Sequence, residues 1–356
     1  MIFQKKSKLI GRKKLAGKKI WLVLLLAFGF GFFAFANFAL ADSSRILPTA
    51  YHESTYCASG CDYSSLQAWE DATDNDLVTA QMGEVLTCYE GVYNDSVALS
   101  GATTNASYFR VIRAASGAKG TPTSGVRFVK VVTVGSNLFN ISETYASVQD
   151  IALKLTSTNG SMAYAFYATA NYVSFIGCTA YDGYTSGTAV GFRIAAVNPV
   201  YLINCLALNI DGNVTGSAGV MAGDNSGTNQ NIYIYNSTVV GCNRIGVYMT
   251  SQTGYTTTTY LKNSIIQSNG TNLYTNGAGT EIWSQTTNAT SGVTFAADGY
   301  HLDSTDTVAI NNGTDLSADD VFAFDDDIDR GIRSDWDIGC DEFGSEAARR
   351  RIFMVQ

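Results

Sequence analysis

Between Ile151 and Thr280 the chain carries only seven charged side chains: Lys154, Asp182, Arg193, Asp211, Asp224, Arg244 and Lys262. Any acid–base chemistry in this stretch must use them. Two carboxylates and a cation converging within about 8 Å on one face would suit cleavage of a glycosidic bond, with room for a water between the carboxylates. Asp182 and Asp211 both precede glycine at equivalent turn positions. On adjacent layers of a stack they would lie about 5 Å apart. Asp-Gly is also a common turn pair, so a turn role is the simpler reading of both. Asp224 lies in the polar run Gly223-Asp224-Asn225-Ser226-Gly227. Loops on one flank of a repeat stack often form its binding groove. Arg193 and Arg244 are the basic residues placed for such a groove, against the simpler reading of solvated surface arginines. These five are the candidate catalytic residues.

A second cluster lies near the end, in Asp325-Asp326-Asp327-Ile328-Asp329. Asp327 and Asp329 are the candidate metal ligands, and calcium, which needs several converging oxygens, is the ion they would suit. The run lacks the spacing of a twelve-residue calcium loop. A turn pairing Asp327 or Asp329 with Arg333 explains it equally well. No other cofactor is assigned. The two histidines, His52 and His301, have no serine or cysteine arrangement beside them that would make a nucleophile. No cysteine pair has the Cys-x-x-Cys spacing of a zinc site. Twenty tyrosines offer stacking faces for sugars, among them Tyr181, Tyr184, Tyr233, Tyr235, Tyr248, Tyr255 and Tyr260. Tyrosine also has high β-propensity, so packing alone would enrich it.

The element that must position these residues repeats about every 27 residues. One landmark is a small or amide residue inside an apolar run, with Asp150 in the first place: Asp150, Gly177, Asn204, Asn236 and Asn263, spaced 27, 27, 32 and 27. The other is an apolar residue: Phe139, Phe166, Phe192, Val220, Val247 and Leu273, spaced 27, 26, 28, 27 and 26. Two landmarks that keep step indicate a stacked solenoid. The runs are short and β-rich, and none has the 3.6-residue period of a crossover helix. The expected fold is all-β: a right-handed parallel β-helix of six or more coils, the hand following the rule for parallel crossovers. The asparagines at 204, 236 and 263 are expected to stack as a ladder, each amide bonding the next.

Residues 42–135 are read as an N-terminal cap with the first coils, 136–275 as the repeats, 276–345 as C-terminal coils and cap, and 346–356 as a tail. Ser64 and Ser65 open a short amphipathic helix with Leu66, Trp69 and Leu77 on its apolar face, and Glu70 is placed for a reciprocal cap. That helix would cover the first coil. A Cys57–Cys88 or Cys61–Cys88 bridge is expected to staple the cap, since an exported chain permits disulfides. Cys178 and Cys205, one coil apart, are expected as unpaired core residues.

Residues 1–41 stand apart. Eight basic residues precede an apolar run from Ile20 to Phe38, followed by Ala39-Leu40-Ala41. This is the order of a secretory signal peptide, and an uncleaved anchor with its positive end inside is the competing reading. Either places the remainder outside the cytoplasm, secreted or at the cell surface, with membrane contact only through this segment if it is uncleaved. The tail Arg349-Arg350-Arg351-Ile352-Phe353-Met354 is too short to span a bilayer. Beyond residue 41 there are 15 basic and 31 acidic side chains, a net charge of −16. Such acidity argues against a phosphate-neutralising surface and hence against nucleic acid as a partner.

The segment from Gly299-Tyr300-His301-Leu302 to Asp337-Ile338-Gly339-Cys340-Asp341-Glu342 resembles a C-terminal signature of exported bacterial proteins of the pectate-lyase-like right-handed β-helix superfamily. In that signature Asp-x-Asp-Gly-x-x-Arg precedes Asp-Ile-Gly-Ala-x-Glu. Asp327, Asp329 and Arg333 match the first half, and Asp337, Ile338, Gly339 and Glu342 the second. Arg330 stands where glycine is usual and Cys340 where alanine is. The resemblance implies a right-handed β-helix and no single activity, since the superfamily holds polysaccharide lyases, hydrolases, isomerases and proteins of no known chemistry. The expected function is a non-catalytic β-helix that binds a polysaccharide or surface glycan, or acts as an adhesive scaffold. The alternative is a lyase or hydrolase of an acidic, uronate-containing polysaccharide.

Overall fold

Strand runs rich in Val, Ile, Tyr and Thr alternate with single turn residues, and each run is too short to pair with itself. The backbone groups of one run are satisfied by the same run one repeat later, which dictates a parallel stack. A computed structural model describes residues 45–133, 135–195, 199–223 and 227–345. They form a parallel β-solenoid of about seven coils with two short helices. Among these residues no helix is long and apolar enough to cross a membrane. The leader, residue 224 and the tail lie outside the described residues.

Each coil visits three sheets. The first contains Val173–Ile176, Val200–Ile203, Gln230–Tyr235 and Thr256–Lys262, and runs from Tyr51–Tyr56 to Thr280–Thr286. The second contains Thr179–Tyr181, Leu206–Leu208, Thr238–Val240 and Ile265–Gln267. The third contains Ser136–Ile141, Ala163–Ala168, Ala189–Ile194, Ala218–Ala222, Ile245–Met249 and Thr271–Thr275. The apolar landmark is a register column of this third sheet: Phe139 pairs with Phe166, then Phe192, Val220, Val247 and Leu273, without a slip. The other landmark is the corner between the first and second sheets. Asp150, Gly177, Asn204, Asn236 and Asn263 all have left-handed backbone, with φ from 42° to 61°. Gly, Asn and Asp reach that region most readily, which is why the sequence repeats these types there.

The interior is a set of columns. Phe166 and Phe192 stack at 4.7 Å, and Phe139 and Phe175 meet them edge-on. Cys178 and Cys205 are buried and unpaired, as expected. Their thiols donate to the carbonyls of Val148 and Phe175, each at 3.2 Å. Ser237 and Ser264 extend this column, their hydroxyls donating to Leu202 and Ile234 one coil back.

The N-terminal end is closed. Helix α1 (Leu66–Thr73) sinks Leu66 and Trp69 fully into the core, and Ser65 caps it by accepting from the Ala68 N–H. The apolar face continues into a separate helix, α2 (Leu77–Ala80), capped by Asp76. Glu70 does not cap α1. It turns inward to the Ser100 N–H and to Arg110, which is fully buried and also paired with Glu143. The disulfide joins Cys57 to Cys61, not either to Cys88, which is free and buried in the core. Cys88 ends a strand of the first sheet opposite Tyr56, and its side chain belongs to the coil interior.

The C-terminal residues turn back along the outside of the corner as a strap. Its Leu316, Phe324 and Trp336 cover Ile176, Ile203 and Tyr235, while Tyr300, Ile328 and Cys340 cover Ala152, Leu206 and Val240. This packing overturns the asparagine ladder. The corner amides do not bond one another. Asn204 donates to the Asp326 carbonyl at 2.9 Å, Asn236 to that of Asp337 at 3.3 Å, and Asn263 to that of Thr314 at 2.6 Å. Asp150, fully buried, receives Arg45 through two hydrogen bonds of 2.7 and 2.9 Å, and Arg330 through its Nε at 3.0 Å. Gly177 is required beside it: a Cβ there would stand 2.4 Å from Asp150 Oδ1 and 3.2 Å from Arg45 Nη2.

Candidate functional site

The outward side chains of the third sheet follow each apolar landmark by one residue. They form a continuous row, Asn140, Tyr167, Arg193, Met221, Tyr248 and Tyr274, in lateral register, with Tyr248 buried against Met221 and Tyr274. Successive members stand about 4.8 Å apart, the spacing of paired strands. Tyr164 lies alongside, its ring 5.4 Å from Tyr167, and Tyr248 and Tyr274 are 5.5 Å apart. Arg193 is the one charged residue in this row. Its Nη1 donates to the Ile194 carbonyl at 2.9 Å and to Gly223 O, which ties the guanidinium to the adjoining backbone. Burial pushes the Tyr164 phenol up, against the opposing pull of Arg193. The Asn140 Oδ1 atom is buried without a hydrogen-bond partner. The face thus offers hydroxyls, amides, a thioether and one fixed cation.

The first sheet also carries outward tyrosines, but used differently. Tyr201, Tyr233 and Tyr260 stack on one another at 5.3 and 4.6 Å, and Tyr145 stacks on Tyr172 at 4.4 Å. Their ring faces are spent on each other. Tyr235 is buried under the strap. Of the tyrosines singled out from the sequence, Tyr248 joins the row on the third sheet. Tyr164, Tyr167 and Tyr274 were legible only as the residues flanking the apolar landmark.

Of the five candidate catalytic residues, Asp182, Arg193, Asp211 and Arg244 are described, and no ion pair joins these four to one another. Asp182 sits in a left-handed corner, bonded to Lys154 at 3.4 Å and to Asn209 at 3.3 Å. It does not stack on Asp211. The residue equivalent to Asp182 is Asn209, whereas Asp211 pairs in register with Tyr184. The similar Asp-Gly pairs are offset by two residues. Arg244 reaches over the same stretch as Asp211, donating to the carbonyls of Gly212 and Asn213 at 3.4 and 2.8 Å. Arg193 belongs to the third-sheet face. Asp224 lies outside the described residues.

The titratable groups of the strap converge more tightly. His301 bonds Asp298 through Nδ1 and Asp329 through Nε2, the latter at 2.6 Å. Burial alone would lower the imidazole, but these carboxylates outweigh it and raise it to about 9. Burial raises Asp341 to about 6. Among the described residues His301, Asp329 and Asp341 have ligand atoms within 4.8 Å of one another, the spacing a metal would need. Both ring nitrogens are hydrogen-bonded to carboxylates, which accounts for the cluster as a local His–Asp network. Asp327 and Asp329 turn to different partners: Asp327 accepts from the N–H groups of Asp329 and Gly331, at 2.8 and 2.7 Å. Arg333 does not pair with either. It bonds Glu342 at 3.3 Å and the carbonyls of Asp326, Gly339 and Cys340.

Comparison with protein-family models, curated proteins and solved structures found no match to this chain. The solenoid architecture is consistent with a pectate-lyase-like fold.

Proposed function

We propose that this chain is an exported or cell-surface β-helix protein of the pectate-lyase-like superfamily, non-catalytic, that binds a glycan along the outer face of its third sheet. The observation that carries this reading is the row Asn140–Tyr167–Arg193–Met221–Tyr248–Tyr274 in unbroken register. A sugar chain is itself a repeat of hydroxyls and apolar ring faces, and it matches tyrosines repeated along a rod. Aromatic side chains present an apolar body with a polar tip, which suits such a ligand. The fixed guanidinium of Arg193 favours an acidic sugar, since arginine recognises carboxylates by paired hydrogen bonds.

The same cation supports a second reading, a lyase or hydrolase of a uronate polymer, in which Arg193 would neutralise the sugar carboxylate. Against it, Asp182 is paired with Lys154 and Asp211 lies in the second sheet opposite Tyr184, whereas Arg193 lies in the third. We assign no cofactor and no nucleic-acid partner.

A glycan array probed with residues 42–356 should show binding weighted toward acidic chains. Tyr167→Ala with Tyr274→Ala should weaken it by at least tenfold, about 1.4 kcal/mol, without shifting thermal unfolding by more than a few degrees. An array with no binding at all would sink the glycan reading and leave a structural one. Ultraviolet absorbance of unsaturated products, from a panel of uronate polymers, would establish the lyase instead.

A further inference from the structure

The two ends of the first sheet are finished differently. At the start, the outer edge of Tyr51–Tyr56 is covered at its Thr55–Tyr56 end. The disulfide loop folds back on it, with Tyr63 N–H donating to the Thr55 carbonyl at 3.0 Å and Cys57 N–H to that of Tyr63 at 3.2 Å. The Asp62 carboxylate takes the Thr55 N–H at 2.8 Å. Helix α1 seals the core above.

At the other end, Thr280–Thr286 pairs inward with Thr256–Lys262 over seven residues, with no bulge. It is the terminal strand of its sheet, and among the described residues no strand pairs with its outer edge. Trp283 and Leu273 pack on the core yet remain only partly buried, and Ile282 is 45% exposed. The strap does not close this end, because it runs back along the side to Asp150 and Arg45. Proteins that keep such an edge solitary place lysine, proline or a bulge on it. This strand, Thr-Glu-Ile-Trp-Ser-Gln-Thr, has neither residue. Its one charge, Glu281, is tied to the Ser251 hydroxyl at 2.7 Å.

The geometry points to this edge as a docking surface for a second copy of the chain. The disulfide loop and helix α1 stand in the way of head-to-tail stacking of described ends, so two copies meet through the same edge about a two-fold axis, with strands antiparallel. Such an interface closes at the dimer and does not propagate. Centred on Trp283, the self-pairing sets Thr280 against Thr286, Glu281 against Gln285, and Ile282 against Ser284. No like charges face each other, which is the condition a cross-strand pair must meet. The net charge of −16 beyond residue 41 opposes association at long range, so added salt strengthens it.

Sedimentation equilibrium of residues 42–356 over a concentration series tests this, with far-ultraviolet circular dichroism confirming that every variant folds. The wild type should form dimers and nothing larger. Ile282→Lys with Ser284→Lys places lysines opposite lysines and should weaken the dimer at least tenfold. Ile282→Lys with Ser284→Glu places opposite charges in the same register and should restore it, with an affinity that falls as salt rises. A monomeric wild type overturns the proposal, as does a dimer indifferent to the double lysine variant. A chain ending at Ser345 that dimerises where the longer chain does not would make the tail the occupant of the edge, and would equally overturn it.

Discussion

The coils and the strap that lies along them are built on opposite principles. Inside the coils the contacts are columns of like residues: phenylalanine on phenylalanine, and thiols followed by serine hydroxyls. The strap packs apolar residues on the rod and is fastened there by ions as well. Arg330 and, through Arg45, Asp326 link it to Asp150 at the corner, and Arg333 pairs with Glu342 within it, most of them deeply buried. A column passes a local change to the coils above and below it, because each coil is supported by two neighbours. An ionic fastening takes the loss in place, because removing one partner strands the other without solvent. The charge that returns near residue 276 therefore has a structural use at least at these positions, which fasten a polar chain to a neutral rod.

The largest expected effects separate the two regions. Arg333 has no exposed side-chain surface and gathers carbonyls from both arms of the strap. Arg333→Ala should cost about 3–5 kcal/mol by leaving Glu342 and several carbonyls unpaired. The loss should fall on the strap alone. Fluorescence of Trp336, 5.7 Å from the Arg333 guanidinium, should report unfolding well before the β signal in circular dichroism. Phe192→Ala should cost a similar amount, about 3–5 kcal/mol, by opening a core cavity. It should lower both signals together. Coincident transitions in Arg333→Ala would show that strap and rod are one cooperative unit.

A smaller effect follows from His301. Its folded value, about 9, lies above the ordinary 6.5, so the folded strap holds a proton more tightly than the unfolded chain. That stabilisation is complete below pH 6.5 and is lost as pH rises through about 9. Asp341, raised to about 6, acts in the same sense at lower pH: its burial becomes unfavourable as it ionises. The depressed Asp298 and Asp329 carboxylates act oppositely, contributing above pH 3.8 and failing in stronger acid. The strap should thus loosen between about pH 6.5 and 9 while the coils, poor in titratable groups, do not. Trp336 emission against pH checks this, and His301→Gln should flatten the curve. A flat wild-type curve would mean that the imidazole is not held as a cation.

The rod was legible in the sequence because its partners are one period apart. Phe139 through Leu273 keep register without error, and the corner residues declare their left-handed backbone by type. The strap was not, because its partners lie 100 to 180 residues away: Asn204 to Asp326, Asn236 to Asp337, Asp150 to Arg330. A period shows which asparagines share a column. It does not show whether their amides face one another or a segment from elsewhere. The misaligned Asp182 and Asp211 have a related cause, since turn chemistry repeats the dipeptide more faithfully than its position. The binding face was half legible, as the one-residue step beyond each apolar landmark.

The smallest expected effect tests the column principle itself. Cys178 and Cys205 look like special residues in the sequence, yet serines 237 and 264 occupy the same interior position and make the same kind of bond to a carbonyl one coil back. The thiols are fully buried, and burial pushes Cys178 up to about 12, so neither is a thiolate at neutral pH. If the position requires only a small donor, Cys178→Ser should change stability by less than about 1 kcal/mol, because the hydroxyl has a carbonyl waiting for it. Cys178→Ala should cost more than the serine despite being more apolar, since it leaves a gap and a carbonyl short of a donor. Chemical denaturation of the two variants side by side decides the order. Alanine above serine would mean that the column selects for apolar volume, and that the serines further along are tolerated where the coil is already looser.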